Sequence, residues 1–292
     1  MVSIFEDYKL PQSFIDSILL LQSILIVPPI VDDSYYKKGT KFQKPIENIW
    51  LKDHVTIVKI AKVNQKKGTE KDIDEIRMAL NMISSRNYES QKDIVIEHVK
   101  MNNNDESLKV AEFIFDIASS NKFYVELYVT LYSELILVSS IFKDVLNERV
   151  SIFVNTIDDI KEVDPSVDYD KYCRYVNEND KRRALLTFYM HLSKNKIIDS
   201  DAIFNIIQNF LSVFFEFLEK EDKTAECDEI AEIMSIFIRI GKSIDFFVSD
   251  KMWRKITEKV VIISKFKAKL YKSLSSRTAF KFLDMVDSIL TI

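Results

Sequence analysis

The side chains best suited to metal or acid–base chemistry are three histidines, two cysteines and a few paired carboxylates. His54, His98 and His191 lie far apart, and none has a His or Cys three or four residues away. That spacing would put two ligands on one helix face, so no metal site is indicated. Cys173 and Cys227 form no C-x-x-C pair and fit a reduced, cytosolic or nuclear chain. Asp158-Asp159 falls on a helical stretch, and "DDSYY" (Asp32 onward) lies in a linker. Carboxylates that act as acids or bases need burial to shift their pKa, and solvated faces do not supply it. The sequence has no P-loop, G-x-G-x-x-G, G-x-S-x-G or kinase signature. We expect no enzyme, no cofactor and no metal.

What remains is binding chemistry. Lys181, Arg182 and Arg183 open a helical turn and suit RNA phosphate or an acidic protein surface. A solvated basic turn explains them equally well. "KFKAKLYK" (Lys265–Lys272) places Phe266 and Tyr271 among lysines that include Lys267 and Lys269, and "KKGTK" (Lys37–Lys41) is a third basic segment. Aromatics among lysines are compatible with single-stranded RNA, and helix periodicity accounts for them too. The net charge of −4 gives no general basic face, so RNA affinity should be weak and salt-sensitive.

The elements that position these residues follow from composition. The 292 residues contain three Gly and five Pro, and four of the prolines precede residue 50. A sheet-containing chain of this length needs many turn glycines, so the body should be all-α. Pro11 opens and Pro28-Pro29 stop a first helix, within segment 1–27. Its apolar run is too short and too polar to span a bilayer, and Glu6 and Asp7 stand where a signal peptide would be basic. No membrane partner is expected, and the location should be cytoplasmic. Residues 28–69 read as a polar linker.

From residue 70 helices follow in series. Ile73, Ile76, Leu80 and Ile83 make a half-buried stripe. Asp105 is a candidate N-cap. "KFYVELYVTLYSELILVSSIF" is apolar nearly all round and should be central. Further helices are expected over 142–163 (broken at Asp164-Pro165), 168–194, 199–220, 225–242 with Gly241 as C-cap, 249–265 and 276–290. About ten helices in five antiparallel pairs of roughly 40–45 residues match the period of a HEAT-repeat α-solenoid. The closing "SSRTAFKFLDMVDSI" should cap the open end, with Ser275 and Ser276 as N-caps, Arg277 reaching the preceding pair, and Phe280, Leu283 and Val286 turned inward. The bias toward Lys, Asn, Ile, Asp and Ser resembles AT-rich coding genomes, such as those of some protists and large DNA viruses.

Several segments, in order, resemble the middle HEAT domain of eukaryotic translation initiation factor 4G. They are "LNMIS" (Leu80–Ser84), "VAEFIFDIASSNKFYVELYVTLYSEL", "NDKRRALLTFYMHLSKNKII", "MSIFIRIGKSIDF" and "SSRTAFKFLDMVDSI". The resemblance covers about residues 70–292. It extends to "NIWL", where Trp50 stands in the place of a helicase-contact segment, with Ile49 for an Arg. "FIDSILL" is similar to the family's Y-x-x-x-x-L-Φ motif, with Phe14 for Tyr, then Leu19 and Leu20. Losing the Tyr hydroxyl bond should cost about 0.5–1.5 kcal/mol.

The resemblance implies a translation initiation scaffold. Trp50, Asn81 and Val110 would contact a DEAD-box helicase of the factor 4A type, held half-closed as a population shift. Phe14, Leu19 and Leu20 would bind a cap-binding protein of the factor 4E type. The host cytoplasm would be the site of action if the chain is viral. Two alternatives stay open. One is a related HEAT protein of mRNA decay, splicing or export. The other is an enzyme or lipid-binding helical bundle.

Overall fold

A computed structural model describes residues 69–101, 104–157, 160 and 163–290. Segment 1–27, the linker up to residue 68, and with them Phe14, Leu19, Leu20 and Trp50, lie outside these residues.

The described residues are all-α and contain no strand. The helices are α1 (Thr69–Met82), α2 (Tyr88–Met101), α3 (Asn104–Ser120), α4 (Val125–Val138) and α5 (Ile141–Ile152). A 3-10 turn, Phe153–Ile157, continues α5. Then come α6 (Tyr169–Lys194), α7 (Ser200–Leu218), α8 (Thr224–Gly241), the one-turn α9 (Asp245–Val248), α10 (Lys251–Ile263) and α11 (Ser276–Leu290). A second 3-10 turn, Ala268–Leu270, lies between α10 and α11.

These helices pack in two layers. In one, α1 packs on α3, α3 on α5, the turn after α5 on α7, and α7 on α10. In the other, α2, α4, α6, α8 and α11 follow one another in the same way. Consecutive helices close most pairs across the layers: α1 with α2, α3 with α4, α7 with α8, and α10 with α11. The third pair is different, because α6 leans on α3 and α4.

The expected stripe of α1 holds: Ile76, Leu80 and Ile83 are buried, and Ile73 packs against the core. The centre is aromatic. Phe188 of α6 sits edge-on to Phe115 of α3 and Tyr132 of α4, with centroids 6.0 and 5.7 Å away. Phe153 does the same with Tyr189 and Phe210. Such pairs contribute about 0.5–1.5 kcal/mol beyond burial. The Tyr132 hydroxyl donates to the Phe142 carbonyl (2.9 Å) and that of Tyr128 to the Leu80 carbonyl (2.8 Å). These two buried hydroxyls are thus satisfied by backbone carbonyls, whereas those of Tyr189 and Ser193 are buried with no hydrogen-bond partner among the described residues.

Four expectations are corrected. Asp105 lies inside the first turn of α3, which begins at Asn104. The apolar run 122–142 is split at Ser139, and Leu137 is exposed because α4 buries only the face bearing Tyr128, Leu131, Tyr132 and Leu135. Helix α5 tightens into a 3-10 turn well before Asp164-Pro165. Gly241 ends α8 in ordinary helical space and not as a left-handed cap. Its smallness is used in packing, since a Cβ there would overlap Cζ3 of the buried Trp253.

Candidate interaction groove

Helix α6 carries the Lys-Arg-Arg triplet, so its setting decides what the triplet does. Asp168 caps it, accepting from the Lys171 amide at 2.9 Å. The first turns are largely exposed and present Tyr169, Tyr172 and Tyr175 in sequence, ring centroids 6.5 Å apart. A groove of about 520 Å³ opens between α3, the end of α5 and α6. Phe115, Phe153, Ile152 and Leu185 give it an apolar floor. Arg149 and Lys181 stand on its rim beside Asp116 and Glu178.

The rim cations are held loosely or locally. Arg149 faces Glu112 and Asp116 at 3.8 and 3.9 Å, with its guanidinium over the Phe115 ring. Lys181 pairs with Glu178 at 2.8 Å and is exposed.

Arg182 is a correction. It is 6 % exposed, and its guanidinium donates to Asn179 Oδ1 (2.6 Å), the Thr156 carbonyl (2.8 Å) and Thr156 Oγ1 (3.2 Å). It lies 3.7 Å from Glu229 of α8. Such an arginine ties α6, the 3-10 turn and α8 together and is not available to an external phosphate. Arg183 grips Glu229 with both its Nε and an Nη, the latter at 2.5 Å. Burial drives the Glu229 carboxyl above its ordinary value, and Arg183 and Arg182 only partly oppose it. Arg183 is raised: burial alone would lower it, and the bonds and charge of Glu229 prevail. Burial dominates at Glu229, whose side chain is enclosed, while Arg183 keeps a solvent-facing edge.

The remaining sequence-predicted residues do not gather at the groove. Asn81 is exposed near the end of α1. The turn that follows is closed by Asn87, which donates to the Met82 carbonyl (2.8 Å) and accepts from the Ser84 amide (2.7 Å). Val110 is 1 % exposed, so it is core and offers no surface to a partner. Lys267 and Lys269 are exposed on the connection before α11. Phe266 and Tyr271 beside them stack on each other at 4.7 Å and are partly buried against the core.

At the chain's last helix the cap is Ser275, whose hydroxyl accepts from the Thr278 amide (2.9 Å) and donates to Asp228 (2.5 Å). Ser276 is exposed. Arg277 reaches the preceding pair as expected, 3.2 Å from Glu232. Phe280 and Leu283 are exposed, contrary to expectation, and Thr278, Phe282 and Met285 are buried. Asp228 accepts from the Thr278 hydroxyl and thereby fixes the rotation of α11.

No cluster of three or more His, Cys, Asp or Glu able to hold a metal occurs among the described residues. His98 bridges Asp72 (3.1 Å) and Glu75 (2.9 Å), joining α2 to α1. Burial pushes the Cys227 thiol up to about 12, which keeps it unreactive. No protein-family model matches the sequence, and no curated protein matches it.

Sequence reasoning missed Arg149, Phe153 and Thr156. They belong to a pattern only once α3, α5 and α6 are brought together, and no local spacing marks them.

Proposed function

We propose that this chain is a non-catalytic scaffold built as a HEAT-type solenoid, acting as factor 4G does by holding a DEAD-box helicase of the factor 4A type. The observation that supports the reading is the two-layer order of helix packing, in which helices meet their counterparts in the next pair, α5 through the turn that follows it. The apolar-floored groove at the third pair adds a place for a partner segment. Asn81 is the exposed helicase-binding candidate among the described residues, joined by Trp50 from the sequence, and Lys181 is an exposed candidate for RNA or an acidic partner surface. Phe14, Leu19 and Leu20 would recruit a cap-binding protein, and mRNA recruitment would follow from the two attachments.

The test is size-exclusion chromatography and calorimetry with a factor 4A-type helicase, with ATPase rates read alongside. Wild type should bind and stimulate the ATPase. Trp50→Ala and Asn81→Ala should each weaken binding. Absence of binding at tens of micromolar protein would sink the helicase reading.

A further inference from the structure

Charge is distributed unevenly along this chain. Residues 251–272 hold eight basic side chains and a single acid, Glu258, in a protein whose net charge is −4. The rest of the chain therefore carries eleven net negative charges. Among the described residues Lys251, Arg254, Lys255, Lys259, Lys265, Lys267 and Lys269 have no ion pair, whereas most lysines elsewhere are matched locally. Lys272 alone in this stretch is paired, to Glu221 at 3.2 Å.

Helix geometry puts these charges outward. The core side of α10 is Trp253, Ile256, Val260 and Ile263, all buried. The opposite stripe is Lys251, Lys255, Glu258 and Ile262, spaced by four, three and four residues, with Arg254 and Lys265 beside it. Two aliphatic side chains stand among the cations: Ile262 is 52 % and Leu270 73 % exposed.

We propose that this face of α10 and the connection to α11 lies on anionic phospholipid bilayers. The charge complementarity is direct, since each lysine near an anionic surface adds attraction. The aliphatics decide between polyanions. Nucleic acid single strands are held by exposed aromatic rings and by arginine planes. Here the two rings are stacked on each other, one of eight cations is an arginine, and the exposed apolar groups are of the kind that enter the acyl boundary. The expectation of no membrane partner rested on spanning length. Lying on a surface needs no spanning helix.

Co-sedimentation of the full chain with vesicles tests this without any protein partner, so it stands or falls independently of the helicase reading. Vesicles of phosphatidylcholine with phosphatidylserine should capture the protein, and pure phosphatidylcholine should not. Lys251→Gln with Lys255→Gln should lower partitioning by about fivefold per charge removed. Ile262→Ser with Leu270→Ser should lower it at unchanged charge, and circular dichroism should show every variant folded. Equal capture by pure phosphatidylcholine, or capture indifferent to both double variants, would overturn the proposal. So would loss of single-stranded RNA binding in the lysine variant when no vesicle is bound.

Discussion

Glu229 and Glu232 are the same residue type, three positions apart on α8, yet they work in opposite regimes. Glu229 faces α6 and is sealed between Arg182 and Arg183. Glu232 faces α11 and takes Arg277 at 3.2 Å and Lys281 at 3.0 Å near solvent. At Glu229 burial outweighs its partners and raises the carboxyl pKa. At Glu232 burial pushes upward too, but Lys281, Arg183 and Arg277 prevail and hold it below its ordinary value. Neighbouring junctions in one stack can thus be fastened by different physics. The α6–α8 junction is a buried network that fails when opened. At the α8–α11 junction Glu232 is part of a half-buried clip, set beside the Asp228 bonds to Ser275 and Thr278.

The sharpest test removes each carboxylate. Glu229→Ala strands two arginines at a buried site and should cost about 3–5 kcal/mol in urea unfolding. Glu232→Ala opens a more solvated pair and should cost about 1 kcal/mol or less. Equal losses would erase the distinction between the two junctions. A third contact of α8 carries no charge. Gly241→Ala drives a methyl into the Trp253 ring and should cost about 1–3 kcal/mol, with no dependence on salt.

The sequence carried the helices well and the junctions poorly. The Ile76–Leu80–Ile83 stripe, the span of α6 and the bounds of α11 follow from local spacing, and the structure agrees. Arg182 could not be placed that way. Three consecutive basic residues on a helix point in three directions, and which one is buried depends on Thr156 and Glu229, 26 and about 46 residues away. The inner face of α11 was misjudged for the same reason. Val286 does pack against the core, but Phe280 and Leu283 turn outward, and a contact from Asp228 selects the face that buries Thr278, Phe282 and Met285. The groove was illegible because its lining comes from α3, the end of α5 and α6, which are far apart in the chain.

A smaller effect is expected at the cap. Ser275→Ala loses the acceptor for the Thr278 amide and one of the two hydroxyls on Asp228. The cost should be about 1 kcal/mol. Ser276→Ala should be near neutral, because that side chain is exposed in the first turn. Thermal unfolding of the two variants side by side separates the cap from its neighbour.

The finest discrimination is pH. A carboxyl raised in the folded state binds its proton more readily there than in the unfolded chain, so Glu229 makes the protein less stable as pH rises from the ordinary carboxyl value through the raised one. A lowered carboxyl does the reverse. The stability Glu232 contributes is present above the ordinary value and is lost as pH falls through the lowered one. Unfolding midpoints from neutral pH into the acid range should therefore respond oppositely in two variants. Glu232→Gln should show less acid destabilisation than wild type, because the stability that acid would remove is already gone. Glu229→Gln should show more, because the compensating gain from protonating Glu229 is absent. If both variants shift the profile the same way, burial does not govern the α6–α8 junction, and the arginines there hold Glu229 as an ordinary ion pair.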